Sequence, residues 1–300
     1  MEITKRRSGG IRVPVSRRVF VVFNTIILLA ISFAMLYPVL YVIAASFSEE
    51  TAILRGDVVF IPVGAHVKAY QKVFQYPLLW QSYGNTLLYT FLGTAINLIL
   101  TVFGAWALSR KKMVGRRFFT LMCTFTMFFN GGMIPIYLNI RDLGLYNTLW
   151  ALILPGAISV YNCIICRTAI QAVPDSLTES AYLDGANDLV IVFRITLPLI
   201  MPTIAVLLLY YGVGHWNAWF PASIYLQDNN KLPIQNIMRS ILIANSNLLN
   251  SSGSETDRVD DFAETIKYST IILTTVPVLC IYPFLQKYFV KGVMVGAVKG

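Results

Sequence analysis

Charged residues are scarce in this chain of 300 residues: they make up 13% of the sequence, while hydrophobic residues make up 56%. A soluble domain usually carries about a quarter charged residues, so these residues are too few to cover a surface that faces water. We therefore expect lipid to surround most of the chain. The net charge of +9 is concentrated in a few short segments, a distribution that argues against a nucleic-acid-binding protein.

Several residue patterns that carry chemistry are also absent from the sequence. No GxxxxGK(S/T) loop occurs, so we do not expect the chain itself to bind ATP. With two histidines and no paired carboxylates or nucleophile–base arrangement, the sequence indicates neither a metal site nor an enzyme with catalytic residues of its own. The cysteines lie in apolar runs and are expected to be small buried residues, although two of them have CxxC spacing. They are Cys123, Cys163, Cys166 and Cys280.

Long stretches without any charge predict the membrane spans. Each stretch can supply the roughly 20 apolar residues that a helix needs to cross a bilayer, and backbone groups in lipid favour helices over open strands. The first apolar run is too long for a cleavable signal and is expected to remain as an anchor. The six stretches lie between Arg18 and Glu49, Lys72 and Arg110, Arg117 and Arg141, Asp142 and Arg167, Arg194 and Asp228, and Lys267 and Lys287.

The distribution of basic residues predicts the orientation of these spans. Six spans with a cytoplasmic N-terminus place 16 of the 24 Lys and Arg residues on the cytoplasmic side, as the positive-inside rule requires. The resulting multi-pass chain has a basic cytoplasmic tail over 1–18, a transmembrane domain over 19–291 and a cytoplasmic tail over 292–300. Its long outer loops are 47–80 and 228–264.

The second outer loop combines two kinds of sequence. The stretch Leu232–Leu242 predicts a short surface helix, whereas the polar residues Asn245–Asp257 indicate a mobile segment. Polar loops of this length are either flexible or docking surfaces for a soluble partner.

The cytoplasmic segment between spans four and five carries helix signals. Ser176 with Glu179 three residues later matches a capping box, which predicts a helix that begins there. Gly185 can end this helix in a left-handed conformation, and Asn187 or Asp188 can cap the next one. The expected product is a short amphipathic helix held between two membrane helices.

Small residues, a glycine and a Leu-Pro pair recur at fixed spacing in and after this segment. They are Glu179, Ser180, Ala181, Asp184, Gly185, Ala186, Phe193, Ile195, Leu197, Pro198 and Pro202. In this pattern the segment 173–194 resembles the "EAA" loop found in permease subunits of ABC importers, with Ser180 in place of the first Ala, and we call it the coupling loop. The alternative, an ordinary interfacial amphipathic helix, needs neither the Gly at this spacing nor the Leu-Pro pair.

The similarity extends over residues 15–300 and is greatest with carbohydrate permeases of the MalG-like type, in the subgroup that serves oligosaccharides and polysaccharide fragments. Residues 129–135, 216–221 and 289–300 are similar to that subgroup. The resemblance implies a type I ABC importer transmembrane domain: an all-α polytopic protein with six transmembrane helices and a cytoplasmic coupling helix. It implies a bacterial cell membrane and an imported sugar, and alginate-like substrates are among those that it suggests.

The same resemblance implies the partners. This chain would assemble with a second homologous permease subunit, two ATPase subunits that hold ATP and Mg²⁺, and an extracellular or periplasmic solute-binding protein. Its helix would fit a cleft on the ATPase, where Glu179 meets a basic residue or backbone donors. The residues implied in ATPase coupling are Glu179, Ser180, Ala181, Asp184, Gly185, Ala186, Ile195, Leu197 and Pro198.

Aromatic and amide side chains within the spans are candidates for a sugar pathway, since sugars stack on rings and bond to amides. The candidates are Asn130, Tyr210, Tyr211 and Asn217. Because Trp and Tyr also concentrate at membrane interfaces, an interfacial role is the alternative for the two tyrosines. Asn130-Gly131-Gly132 is expected to interrupt the third span about midway, either for close helix packing or for a widened pathway.

The two prolines where span five begins predict a bend or an unwound turn, because each lacks a backbone donor. Pro198 and Pro202 could mark a hinge or a simple entry kink.

An ion-coupled secondary carrier is the main alternative function. No Asp or Glu lies in the middle of any charge-free stretch, which weighs against proton coupling. Sodium coupling through backbone carbonyls stays open.

Overall fold

The computed structural model describes residues 15–250 and 263–297, and the regular elements within these ranges are all helical. The α-helices of this part of the chain are α1 (Val15–Phe47), α2 (Glu50–Arg55), α3 (Lys68–Phe74), α4 (Pro77–Ser109), α5 (Arg116–Phe128), α6 (Met133–Asp142), α7 (Trp150–Ile153), α8 (Val160–Gln171), α9 (Asp175–Leu183), α10 (Asp188–Val190), α11 (Leu197–Leu199), α12 (Met201–Trp216), α13 (Trp219–Tyr225), α14 (Ile234–Asn250) and α15 (Ala263–Ala297). Short 3₁₀ turns occupy Leu154–Gly156 and Asn229–Lys231. The segment Ile191–Thr196 is π-helical.

Three helices, α1, α4 and α15, are each long and apolar enough to cross a membrane. Three further pairs meet the same criterion when each bent pair is taken as one span: α5 with α6, α7 with α8, and Asp188–Leu199 with α12. Their bends are 114°, 53° and 88°. The described residues therefore supply up to six spans, the number expected from the charge-free stretches.

Two of these bends lie where the sequence predicts an interruption. Between α5 and α6 the chain turns at Asn130, Gly131 and Gly132, and Gly132 has a φ of +89° that disfavours side chains. The Asn130 side chain accepts the N–H of Gly132 at 2.8 Å and so replaces a lost helical bond. Ahead of α12, the chain leaves helical geometry at Ile200, close to Pro198. Both interruptions are confirmed.

The centre of the bundle is α4, which packs against α8 and α12, while α15 packs against α1 and α12. A single apolar cluster joins α4, α8 and α12 to the segment around α9. Its buried members are Val102, Ala105, Trp106, Cys163, Cys166, Ile170, Ala181, Ile191, Val192, Ile200, Leu207 and Tyr211.

Polar side chains inside the bundle hold the break between α7 and α8. Asn97 donates to the carbonyl of Gly156 at 2.6 Å, and its oxygen lies 3.0 Å from Nε2 of His215. The hydroxyl of Tyr211 lies 2.7 Å from that of Thr101. A broken helix in lipid leaves carbonyls without partners, and Asn97 supplies a donor for the carbonyl of Gly156.

Close packing at Gly93 predicts a sharp stability difference along α4. A Cβ added at Gly93 would lie 2.5 Å from Nε2 of His215, whereas a Cβ at Gly84 of the same helix would meet nothing within 4 Å. We expect Gly93→Ala to reduce the free energy of unfolding by about 1–3 kcal/mol through overpacking, and Gly84→Ala to leave it unchanged or higher. Thermal unfolding of the purified transporter measures both. Adding His215→Ala to Gly93→Ala should recover part of the loss, and equal melting temperatures for the two glycine variants would contradict the prediction.

The two long loops predicted at 47–80 and 228–264 are more ordered than the sequence indicated. The first one contains α2 and α3. The expected short surface helix over Leu232–Leu242 is wrong in extent and in exposure: α14 runs over Ile234–Asn250 and packs against α15 and α4. Its first residue, Ile234, is completely buried. The expected mobile segment Asn245–Asp257 is thus helical to Asn250, and residues 251–257 lie outside the described ranges.

The cysteine prediction is correct for only two of the four residues. Cys163 and Cys166 are buried between α4 and α8. Cys123 is half-buried and Cys280 is exposed, because apolar sequence in a membrane protein can face lipid as well as the protein interior.

Candidate functional site

Helix α9 begins two residues earlier than the capping box predicts. The capping box of Ser176 and Glu179 is wrong: Pro174 occupies the N-cap position, and Ser176 lies within the first turn. Pro174 has a φ of −57° and no side-chain acceptor, so its fixed φ starts the helix without a cap bond. Asp175 in the first turn suits the positive end of the helix dipole.

The end of α9 follows the predicted signals. Gly185 has a φ of +83°, a conformation that favours glycine. Its N–H donates to the carbonyl of Tyr182 at 3.0 Å, and the N–H of Ala186 donates to that of Ala181 at 2.9 Å. The Asn187 side chain then accepts the N–H of Val190 at 2.9 Å and caps α10. Four residues, 184–187, therefore separate the end of α9 from the start of α10.

The inner face of α9 is built into the core of the bundle. Ala181 is 7% exposed and belongs to the same apolar cluster as Ile191 and Val192 of the π-helical turn. Of the other residues that the resemblance implies in coupling, Ala186, Ile195 and Leu197 pack against this cluster. Through Ala181, α9 is therefore continuous with the packed core formed by α4, α8 and α12.

The outer face of α9 is left open. Glu179 and Ser180 are exposed, and the Ser180 hydroxyl donates only to the carbonyl of Ser176, at 2.9 Å. Leu183 is 90% exposed, although it is a large apolar residue. Glu179 has no hydrogen-bond or ion-pair partner within the described ranges. Ser180, which replaces the family's alanine, thus lies on the open face and not in the packed one.

The start of α9 is tied to the end of α4 by an ion pair. Nζ of Lys111 lies 2.7 Å from Oδ2 of Asp175. The hydrogen bond and the charge of Lys111 hold the pKa of the Asp175 carboxyl below its usual value. A lowered folded-state pKa means that the pair is intact at neutral pH and is lost only as the pH falls through that pKa. Both groups are mostly exposed, so solvent weakens the pair.

The end of α9 is tied to α4 by a second, better-packed contact. The guanidinium of Arg110 donates to the hydroxyl of Tyr182, which donates to the carboxylate of Asp188. Arg110 also lies 4.3 Å from the ring centre of Trp106, a cation–π distance. Partial burial, followed by the bond to Asp188, raises the pKa of the Tyr182 phenol. The hydroxyl therefore keeps its proton at neutral pH.

Sequence reasoning missed this Arg110 clamp, defined by Arg110, Tyr182 and Asp188. Arg110 counted only as one of the basic residues that set orientation. Its position directly after an apolar span was the one available signal, since 72 residues separate it from Tyr182.

The predicted pathway residues occupy different environments. Asn130 is exposed at the bend between α5 and α6, and Tyr210 and Asn217 are exposed on α12 and at its end. Tyr211 is buried, and its hydroxyl also accepts the N–H of Ser159 at 3.3 Å. Three of the four residues are therefore exposed on the surface of the single chain.

Comparison with known proteins gives consistent results over nearly the full chain. Residues 82–295 match the family described as "Binding-protein-dependent transport system inner membrane component". A polygalacturonan/rhamnogalacturonan transport system permease protein of Bacillus subtilis, YtcP, is 40% identical over 88% of this chain and 92% of its own length. Protein LplC of the same organism is 39% identical over 94% of this chain and 96% of its own length.

Solved structures show the same architecture. One is a bacterial ABC transporter involved in the import of the acidic polysaccharide alginate, with a chain that is 34% identical. The TM-score is 0.83, with 93% of this chain and 99% of that chain covered.

Proposed function

Because the chain belongs to the family of binding-protein-dependent transport system inner membrane components, we propose that its helix α9 couples transport to ATP hydrolysis in a partner subunit. The chain is the permease component of such a system. We assign it a bacterial cell membrane, cytoplasmic termini and outer loops over 47–80 and 228–264. Its proposed partners are a second permease, two ATPase subunits that hold ATP and Mg²⁺, and a solute-binding protein.

One observation carries this proposal: a short helix is packed into the bundle on one face and open on the other. On the open face lie Glu179, whose side chain has no hydrogen-bond or ion-pair partner among the described residues, and Leu183, which is 90% exposed. Exposed apolar residues rimmed by polar ones mark protein interfaces. An ATPase cleft that accepts Leu183 and offers a basic group to Glu179 fits this face.

The route of force follows from the packing of α9. Ala181 transmits displacement to the apolar cluster, and the Arg110 clamp transmits it to α4. The π-helical turn and the break at Ile200 connect α9 to α12. Closure of the ATPase pair would thus move α4, α8 and α12 together.

The coupling residues divide into roles on this basis. Contact with the ATPase is assigned to Glu179, Ser180 and Asp184, and packing inside the permease to Ala181, Ala186, Ile195 and Leu197. Gly185 provides the turn, and Pro198 lies at the break before α12. Asn130, Tyr210 and Asn217 are proposed to line the sugar pathway.

The comparisons favour an acidic oligosaccharide as substrate. Polygalacturonan is a polymer of galacturonate, and alginate is named as an acidic polysaccharide, so two relatives at 40% and 34% identity share a uronate chemistry. We propose that this importer carries oligosaccharides rich in uronic acids.

The test uses the complete transporter in proteoliposomes together with its solute-binding protein. Oligogalacturonides and alginate oligosaccharides should each stimulate ATP hydrolysis and drive uptake of labelled sugar. Neutral arabino- and galacto-oligosaccharides of equal length are the matched controls and should stimulate at least tenfold less.

Two results would contradict different parts of the proposal. Equal or stronger stimulation by the neutral sugars would contradict the acidic substrate, but it would not contradict ATP-driven import. Uptake without ATP that responds to an ion gradient alone would establish a secondary carrier instead.

A further inference from the structure

Three arginines line a groove between α5 and α8. The groove has a volume of about 380 Å³. Its lining is Arg116, Arg117, Thr120, Leu121 and Arg167, with no acidic residue. Within the described ranges, none of the three arginines forms an ion pair. Arg167 lies one turn before α8 ends, so the groove is at the same end of the bundle as α9.

The hydrogen-bond donors of Arg167 in the groove lack well-placed acceptors among the described residues. Arg167 donates from Nη1 to the Thr120 hydroxyl at 3.4 Å, a long bond, while its Nε is buried without an acceptor. Helix α5 begins at Arg116 after Gly115, which has no side chain to cap the first turn. The positive end of the helix dipole therefore adds to the guanidinium charges. An anion would satisfy these donors.

The surface next to the arginines is apolar and open. Helix α5 has no buried residue, and Leu121, which lines the groove, is 60% exposed. Phe118 and Phe125 of the same helix are also exposed. An anion bound here would therefore have a continuous apolar surface beside it, long enough to contact acyl chains. A free phosphate would make no use of that surface.

We propose that this arginine groove binds the phosphate headgroup of an anionic phospholipid from the leaflet on the α9 side. Basic pockets between transmembrane helices on the cytoplasmic side are suited to anionic headgroups, and the cytoplasmic leaflet is rich in them. The headgroup contacts Arg116, Arg117 and Arg167, and the acyl chains lie along the exposed face of α5. The lipid would brace α5 against α8, which leads directly into α9.

The test compares two pairs of adjacent arginines in the intact, purified transporter. Labelled phosphatidylglycerol is titrated in detergent, with labelled phosphatidylcholine as the neutral lipid. Arg116→Gln/Arg117→Gln should weaken phosphatidylglycerol binding by roughly tenfold or more, since each basic residue near the headgroup contributes substantially. Arg17→Gln/Arg18→Gln removes the same charge from the exposed start of α1 and should change binding less than twofold.

A variant of Arg167 and a competing anion distinguish a bound lipid from the other possible occupants of the groove. Arg167→Lys should keep more lipid affinity than Arg167→Gln, because it retains the charge. Equal losses in the two arginine pairs would mean diffuse surface charge and would overturn the proposal. Displacement of the lipid by millimolar inorganic phosphate would indicate a free-anion site, and loss of a partner subunit from Arg116→Gln/Arg117→Gln would indicate a protein interface. Because the experiment measures lipid binding, a negative result would not contradict the coupling role of α9.

Discussion

Replacing Leu183 by aspartate should abolish sugar uptake while leaving the permease folded. Leu183 is 90% exposed, so the substitution removes almost no packing within the chain. If α9 enters an ATPase cleft, the new carboxylate must be buried there without a partner, at a cost of several kcal/mol. We expect the ATPase subunits to bind at least about 100-fold more weakly, in line with the loss of an interface hot spot. Co-purification of the ATPase and uptake in proteoliposomes measure the two effects.

Val114 supplies a matched control for this substitution. It is 92% exposed in the loop that leads from α4 to α5, where the same change from an apolar residue to aspartate can be made. Val114→Asp should retain most of the ATPase binding, and Leu183→Met, which keeps the side chain apolar, should retain nearly all of it. Equal loss in Leu183→Asp and Val114→Asp would mean that α9 has no special contact with the ATPase.

Features set by a single residue could be predicted from the sequence. Gly185 requires no neighbour to adopt a positive φ, and Asn187 caps α10 through a bond within its own turn. The interruption at Gly131 and Gly132 and the one near Pro198 depend likewise on local backbone chemistry. These elements decide where the chain bends, and each is where the pattern indicated.

Two kinds of feature could not be predicted: those where two helix-start signals compete, and those that depend on residues distant in the sequence. Ser176 and Glu179 form a valid capping pattern, but Pro174 fixes the backbone first, and α9 begins two residues earlier. Which face of α9 is buried depends on the elements that lie beside it. The sequence pattern alone therefore could not show that Ala181 is buried and Leu183 is exposed. Both are apolar residues in one short helix.

The Arg110 clamp is the clearest case of a contact hidden from the sequence. The rule that counts basic residues treats Arg110, Lys111 and Lys112 alike. In the structure Arg110 stacks on Trp106 and donates to Tyr182, whereas Lys111 forms an exposed pair. Function can therefore differ among neighbouring basic residues that have the same role in orientation.

This difference gives the second prediction: Arg110→Gln should uncouple hydrolysis from transport. The open face of α9 is unchanged, so the ATPase should still bind and still hydrolyse ATP. Loss of a charge-assisted bond of about 1.5–3 kcal/mol frees the end of α9 from α4. Closure of the ATPase pair then moves α9 without moving α4. We expect the number of sugars imported per ATP hydrolysed to fall by roughly tenfold, by conversion of that free energy at about 1.4 kcal/mol per factor of ten.

Two further variants determine whether the clamp acts as a unit. Tyr182→Phe removes only the hydroxyl that joins Arg110 to Asp188, and it should uncouple in the same direction. The double variant should be no worse than Arg110→Gln alone, because contacts in one network are not additive. Lys111→Gln removes one charge from the adjacent position but only an exposed pair, so its ratio of sugar to ATP should stay near the wild-type value. If Lys111→Gln lowered the ratio as much as Arg110→Gln, the effect would come from charge at the end of α4, and the clamp would have no part in coupling.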